Sequence, residues 1–169
     1  KALLPFGGYN TLSEFQYHRL SACFEEVYIS TKLDKFDFKA NFIKDRGAIF
    51  APTIALLSIF EELKEDRVFL ISVDTPFIKV ETIKEIMNFN SEIVVAKSPN
   101  GVEPLCGVYS KSLIPKIKKM IDSDNHKLNY LIKNSNSSFI EFKEENEFLN
   151  VNRVDDYNKA LKLIEKYLS

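Results

Sequence analysis

The apolar run Val68–Val73 constrains the fold more than any other part of this chain. β-branched and aromatic side chains dominate the run, which follows two charged residues and ends at Asp74, two positions before Pro76. Such a run predicts a strand buried on both faces, and strands of this kind belong to parallel sheets covered by helices. Because proline cannot continue a strand ladder, Asp74 is predicted at the carboxyl end of a central strand, where open α/β sheets bind their ligands.

Asp74 has two interpretations at that position. A carboxylate there is a natural ligand for Mg²⁺, because this hard cation prefers oxygen donors. Alternatively, the side chain ends the strand or caps a helix that begins near Val80. The run alone leaves both open, so the interpretation depends on what the rest of the chain places beside Asp74.

Strand-like and helix-like patterns alternate through the first hundred residues. This order predicts an α/β fold with a mostly parallel, twisted sheet and helices on both faces. Two later strands are predicted at Ser138–Phe142 and Phe148–Val151, before a last helix that starts at Asp155 or Asp156. A length of 169 residues, of which 45% are hydrophobic, fits a single domain that spans residues 1–169.

Charge and motifs exclude several classes of protein. The net charge of −1 provides no bulk basic field for nucleic acid. No apolar run reaches the length of a membrane span and no signal-peptide pattern opens the chain, so we expect a cytoplasmic protein without a membrane partner. Cys23 and Cys106 match no metal or redox spacing, which predicts two reduced, packed thiols. Neither His18 nor His126 has a Ser or Cys partner for a catalytic triad.

Polar side chains follow several predicted strands at their carboxyl ends. Ser30 with Thr31, Asp45, Asp74 and Asn152 occupy such positions. Because the carboxyl ends of parallel strands share one edge of a sheet, these groups are expected to line one crevice. Two acids, two hydroxyls and an amide suit a phosphorylated ligand held with Mg²⁺. A purely structural role, in ending a strand or turning the chain, stays open for each of them.

Five short stretches, spread over almost the whole chain, carry a resemblance to a known family. They are Lys1-Ala-Leu-Leu-Pro-Phe-Gly-Gly, Asp45 followed by Pro52-Thr-Ile-Ala, Val73-Asp-Thr-Pro-Phe, Pro104-Leu-Cys-Gly-Val-Tyr, and Asn150-Val-Asn followed by Asp155-Asp-Tyr. In this order and spacing they resemble the motifs of MobA-type nucleotidyltransferases, and most closely those of molybdenum cofactor guanylyltransferases.

The resemblance implies a Rossmann-like nucleotidyltransferase fold and an activity. The activity is the transfer of GMP from GTP to molybdopterin or the molybdenum cofactor, with release of pyrophosphate and with Mg²⁺ as the cofactor. Lys1 and Asp74 would be the catalytic residues. Lys1 would contact the nucleotide phosphates, and Asp74 would bind the nucleotide through the metal ion. The implied protein partners are molybdenum cofactor insertion proteins and apo-molybdoenzymes.

The same resemblance assigns the remaining candidate residues to the two substrates. Ser30 and Asp45 would lie beside the nucleoside, as nucleotide-binding residues. Asn150 and Asn152 would face the acceptor or complete the metal site. The predicted strand ends also carry Ser30, Asp45 and Asn152, whereas Asn150 is selected by the resemblance alone.

The chain departs from the family pattern at its start and in one helix. The family's first strand and glycine-rich loop precede the position of Lys1, so we expect the sequence to be incomplete at its N-terminus. Ala55 replaces a family glycine and adds a Cβ where a close backbone approach is expected. The family's glycine-rich loop would select the base. One open alternative is therefore a transferase that uses CTP with molybdopterin or any nucleotide with a sugar phosphate. The second is a non-catalytic protein that handles the cofactor.

Overall fold

The structure, a computed structural model, describes residues 1–33, 35–47, 49 and 51–168. In that part of the chain the strands are β1 (Ile29–Thr31), β2 (Phe42–Lys44), β3 (Arg67–Ile71), β4 (Ile93–Ser98), β5 (Gly101–Ser110) and β6 (Ser137–Glu141). The α-helices are α1 (Leu12–Ser21), α2 (Pro52–Glu62), α3 (Val80–Met87), α4 (Ile114–Asp122), α5 (Leu128–Lys133) and α6 (Val154–Leu168). Short 3₁₀ helices occupy Lys111–Leu113 and Glu145–Phe148.

Local sequence signals explain where the first two helices begin. The Thr11 side chain accepts a hydrogen bond of 3.0 Å from the Glu14 N–H, which satisfies one of the free donors at the start of α1. Pro52 opens α2, where its missing N–H costs no helical hydrogen bond. None of the described helices combines the length and apolar character that crossing a bilayer requires.

The described strands form two sheets. β1 and β2 pair in parallel, and a second sheet has the order β3-β5-β4-β6. In the second sheet β6 runs parallel to β4, whereas β5 runs antiparallel to both of its neighbours. The antiparallel pairing of β4 with β5 arises because β4 ends at Ser98 and β5 starts at Gly101, so the chain reverses through two residues. The α/β class is confirmed, with a mixed pattern of strand directions.

β3, which contains most of the apolar run, lies at an edge of the second sheet. All five of its residues are only partly buried, which differs from the expected central strand buried on both faces. Among the described strands, β3 pairs with β5 alone. Its other edge borders a mainly apolar groove of about 530 Å³ that β1 also lines. This groove separates the two sheets.

The prediction of a strand at Phe148–Val151 is wrong. The chain forms a 3₁₀ helix at Glu145–Phe148 and then runs extended outside any described sheet. The cause is Glu147, whose buried carboxylate accepts hydrogen bonds from the Lys79 N–H, at 3.0 Å, and from the Thr82 hydroxyl. The carboxylate thereby caps the start of α3 from a distant part of the chain, and this contact turns the segment inward.

Helices cover both faces of the second sheet, as expected. On one face, Ile93 and Val95 of β4 pack against residues of α2, α4 and α5. On the other face, Val94 and Ala96 pack against Leu20 of α1 and against α3. The alternation of neighbouring β4 residues between the two clusters follows from the two-residue period of a strand. A third cluster joins the beginning of the chain to α6 and contains Phe6, Leu12, Phe15, Val151, Ala160 and Ile164.

Gly107 allows β4 and β5 to approach closely in the middle of this sheet. A Cβ built there would lie 2.4 Å from the Val94 carbonyl oxygen and 2.6 Å from Val95 Cγ1. The β4–β5 register also shifts between Val95 and Ala96, beside this glycine. The sequence predicts a bulge or close approach at Gly107, and the structure shows both.

The two cysteines are expected to differ in reactivity. Cys23 is exposed, whereas Cys106 is buried in β5. Burial raises the pKa of the Cys106 thiol to about 12, with smaller contributions from the charges of Glu103 and Glu147. The Cys106 thiol is therefore protonated at neutral pH and unreactive. A thiol-specific aromatic disulfide should label Cys23 alone in the native protein and both thiols in denaturant. Rapid labelling of Cys106 in the native state would show that β5 opens.

Candidate functional site

A tight turn follows β3 and carries Asp74. The Ser72 N–H donates 2.9 Å to the Leu105 carbonyl, which extends the pairing with β5 by one residue. The Ser72 carbonyl then accepts from the Thr75 N–H at 3.3 Å and from the Thr75 hydroxyl at 2.9 Å. These contacts close the turn after the strand, so Asp74 lies at the carboxyl end of β3, as the sequence predicts.

The Asp74 carboxylate contacts two side chains from different parts of the chain. Its Oδ1 accepts a hydrogen bond from the Ser72 hydroxyl. Its Oδ2 lies 3.0 Å from the Lys1 ammonium nitrogen, which also donates to Asn152 Oδ1. The structure thus brings together three of the residues selected by sequence, Lys1, Asp74 and Asn152. Their polar atoms meet around one positive charge.

Asn152 is held beside Asp74 by its own backbone surroundings. The Val151 N–H donates 2.8 Å to the Asp74 carbonyl, which ties this segment to the turn after β3. The Asn152 and Arg153 N–H groups donate to the Asp156 carboxylate at 3.2 and 2.8 Å, which caps α6. Asn150 belongs to the same segment, and its carbonyl accepts from the Asn152 N–H at 3.0 Å. Helix capping and one long-range hydrogen bond therefore fix this part of the site.

Ser30 and Asp45 form a separate pair on the smaller sheet. Ser30 lies in β1, Asp45 directly follows β2, and the Ser30 hydroxyl donates 2.6 Å to Asp45 Oδ1. The Asp45 N–H also donates 3.0 Å to the Thr31 carbonyl. The pair does not contact the Asp74 group through any hydrogen bond among the described residues. Ser30 and Ser72 both line the groove between the sheets, whereas Asp45, Asp74, Lys1 and Asn152 are not among its lining residues.

Sequence reasoning missed two polar residues of α1 that support the turn. Gln16 is only 5% exposed, and its Nε2 donates to the carbonyl oxygens of Ser72, at 3.4 Å, and Thr75, at 3.2 Å. Arg19 donates from Nε and Nη2 to Gln16 Oε1, at 3.0 and 2.6 Å. A polar pair three residues apart among the apolar positions of a helix was the available signal. Its partners lie more than fifty residues away, where local patterns give no information.

The donor set at Asp74 fits a divalent cation of the Mg²⁺ type. Asp74 Oδ2 and Asn152 Oδ1 both contact the Lys1 ammonium, so two oxygens from distant segments already face one cationic group. The described residues contain no cluster of three or more His, Cys, Asp or Glu side chains able to hold a metal ion. A carboxylate and an amide supply only part of a coordination shell. Mg²⁺ completes such shells with water and substrate phosphates.

Comparisons with known proteins identify the family of this chain. Residues 1–138 match the family model described as MobA-like NTP transferase domain. A molybdenum cofactor guanylyltransferase from Campylobacter jejuni subsp. doylei is 35% identical over 153 residues, which cover 88% of this chain and 80% of that protein. One from Helicobacter pylori strain J99 is 33% identical over 168 residues, covering 98% and 80%.

A solved structure extends the agreement to the fold. Molybdopterin-guanine dinucleotide biosynthesis protein A from Archaeoglobus fulgidus superposes with a TM-score of 0.81, at 18% identity, over 98% of this chain and 91% of that one. At this low identity the superposition shows that the two proteins share the fold. The arrangement around Asp74 therefore sits on a scaffold that both proteins have.

Proposed function

Because this chain belongs to the MobA-like NTP transferase family, we propose that it transfers GMP from GTP to molybdopterin or the molybdenum cofactor and releases pyrophosphate. The relatives named above support the choice of nucleotide and acceptor. The observation that carries the proposal within the structure is the meeting of Lys1, Asp74 and Asn152 at the carboxyl end of β3. We further propose that residues 1–169 act as one domain of a cytoplasmic enzyme.

The reaction joins two anions, and this sets what the site must provide. A phosphate oxygen of the acceptor attacks the α-phosphorus of GTP, and the bond to the β-phosphate bridging oxygen breaks. The attacking oxygen and the α-phosphate are both negatively charged, so they repel each other as they approach. The leaving pyrophosphate also carries negative charge. Asp74 and Asn152 would hold Mg²⁺, and the ion would neutralise this negative charge. No covalent protein intermediate is needed, because alignment and electrostatics suffice for such a transfer.

Lys1 would donate hydrogen bonds to the phosphate oxygens. Its side chain is 43% exposed, and its ammonium lies beside the carboxylate and amide that we assign to the metal ion. A flexible four-carbon stem lets the ammonium move from these oxygens to the phosphates when nucleotide and metal bind. Lys1 would then stabilise the negative charge that develops on the triphosphate as the α-phosphorus is attacked.

The remaining residues divide between nucleoside and acceptor. The Ser30–Asp45 pair, across the groove from Ser72, would position the nucleoside through its hydroxyl and carboxylate. Asn150 and Asn152 would orient the acceptor phosphate, because their segment is hydrogen-bonded to the backbone of Asp74. The product would pass to insertion proteins or apo-molybdoenzymes, the partners that use such a cofactor.

The proposal is tested by measuring pyrophosphate release from GTP, CTP, ATP and UTP by the full-length protein. Each nucleotide is assayed with and without Mg²⁺, and with and without molybdopterin. Release from GTP alone, dependent on both Mg²⁺ and the acceptor, is the expected result. A preference for CTP would overturn the guanylyl specificity and leave a cytidylyltransferase. Absence of release from a well-folded protein with every nucleotide would overturn the enzymatic function itself.

A further inference from the structure

Gln16, which is buried, and Arg19, which is half-buried, form a hydrogen-bonded pair whose orientation the chemistry determines. The amide of Gln16 is removed from water, so it needs partners at both ends. Arg19 has only donors, so the Gln16 oxygen must face it, where it accepts two N–H groups of the guanidinium. Burial lowers the pKa of Arg19, against a smaller opposite effect of Cys23, as expected for a cation enclosed by protein. The amide nitrogen is thereby directed at the turn after β3.

The amide nitrogen bridges the two sides of Asp74. Its acceptors are the carbonyl of Ser72, two residues before Asp74, and the carbonyl of Thr75, one residue after it. Arg19 extends the contact along the same segment, because its Nη1 donates 2.5 Å to the Ile78 carbonyl. Helix α1 therefore holds the chain on both sides of Asp74 through a single hydrogen-bonded pair.

The turn held in this way also fixes the second half of the site. The Asp74 carbonyl accepts from the Val151 N–H, and the next residue, Asn152, supplies the amide oxygen that faces the Lys1 ammonium. A rotation of the turn would change the separation between the Asp74 carboxylate and the Asn152 amide. Displacements of about 1 Å from productive geometry cost on the order of a hundredfold in rate.

We propose that Gln16 and Arg19 are positioning residues, which set the distance between the Asp74 and Asn152 oxygens and thereby the affinity of the site for a divalent cation. The inference rests on the proposed function for the identity of the reaction and for the assignment of the Asp74 and Asn152 oxygens to a metal ion. The cation affinity itself can be measured without nucleotide or acceptor, so the two proposals can fail separately. Partners that orient metal ligands typically contribute about 10- to 100-fold in metal affinity.

The test compares three variants of the full-length protein by titration with Mn²⁺ alone. Gln16→Met keeps the side-chain length but removes both donors and the acceptor. Arg19→Lys keeps the charge but cannot donate as a planar fork, so the amide loses its fixed orientation. Lys111→Met is the matched control, because Lys111 Nζ donates 2.6 Å to the Leu63 carbonyl near the opposite end of β3. The readout is paramagnetic broadening of the Asp74 and Val151 amide signals in nitrogen–proton correlation spectra.

The expected result is a graded loss of cation affinity. The Mn²⁺ concentration for half-maximal broadening should rise about tenfold or more in Gln16→Met, less in Arg19→Lys, and stay unchanged in Lys111→Met. In turnover assays, the α1 variants should lower kcat and raise the Mg²⁺ requirement while the KM for GTP changes little. The proposal would be overturned if Gln16→Met and Arg19→Lys both folded and both bound Mn²⁺ with wild-type affinity. An equal loss in Lys111→Met would also overturn it, since that would reflect general destabilisation.

Discussion

Replacing Asp74 with Asn is expected to lower kcat for pyrophosphate release by about 10²- to 10³-fold. The substitution removes the negative charge from the proposed metal ligand while keeping its shape. A bound metal ion supplies several kcal/mol of charge stabilisation in the transition state, and each 1.36 kcal/mol corresponds to about tenfold in rate. The loss should be partly offset by raised Mg²⁺ concentration, because the neutral amide weakens metal binding more than it alters the remaining site.

The control for this variant is Asp66→Asn, which removes an acid immediately before β3 and so at the opposite end of the strand. It should retain wild-type turnover. Both variants should keep the wild-type circular dichroism spectrum and nearly the wild-type melting temperature, because Asn keeps the shape of the Asp side chain and Asp74 lies in a turn outside the strands and helices. Wild-type turnover in Asp74→Asn would remove this residue from the proposed metal site.

Replacing Gly107 with Ala is expected to destabilise the protein by about 3 kcal/mol, the upper part of the range for overpacking. The added Cβ would meet the Val94 carbonyl oxygen at 2.4 Å and Val95 Cα at 3.0 Å. Backbone atoms cannot move aside as a flexible side chain can, so β4 and β5 must separate. Urea denaturation and thermal unfolding measure the loss, which corresponds to a fall in melting temperature of about 10 °C for a chain of this size.

Val102→Ala provides a comparison in the same strand. Val102 is partly exposed in β5, and truncating it should change the free energy of unfolding by less than about 1 kcal/mol. A Gly107→Ala variant as stable as Val102→Ala would show that the two strands shift to accept the methyl group. That result would contradict the interpretation of Gly107 as the residue required by a close approach.

The sequence was most informative where a local pattern determines local structure. Asp74 was placed at the end of a strand because an apolar run stops there before a proline, and β3 and its turn follow that prediction. Gly107 was predicted to interrupt β5, and its contacts with β4 explain why. For Asp74 the physical cause lies within a few residues of the signal, whereas for Gly107 it lies in the neighbouring strand β4.

Predictions that depended on distant contacts were less complete. Nothing near Gln16 in the sequence reveals that its amide supports a turn fifty-six residues later. A strand was predicted at Phe148–Val151, but Glu147 turns inward to cap α3 and the chain forms a 3₁₀ helix there. Ser30 and Asp45 were expected with Asp74 in one crevice, whereas their described hydrogen bonds join them to each other. The order of strands in space, and hence the edge position of β3, also comes from long-range pairing alone.

The hydrogen bond from the Val151 N–H to the Asp74 carbonyl has a consequence for biosynthesis. Residues near the start of the chain find their packing partners in the same late region, since Phe6 and Leu12 lie against Ala160 and Ile164. Translation proceeds at about 5–20 residues per second, so a nascent chain waits on the order of ten seconds for that region to emerge. Until then Phe6 and Leu12 lack these late packing partners. A polypeptide that ends just before residue 151 would carry every described strand but lack Asn152 and α6, and we expect it to be inactive.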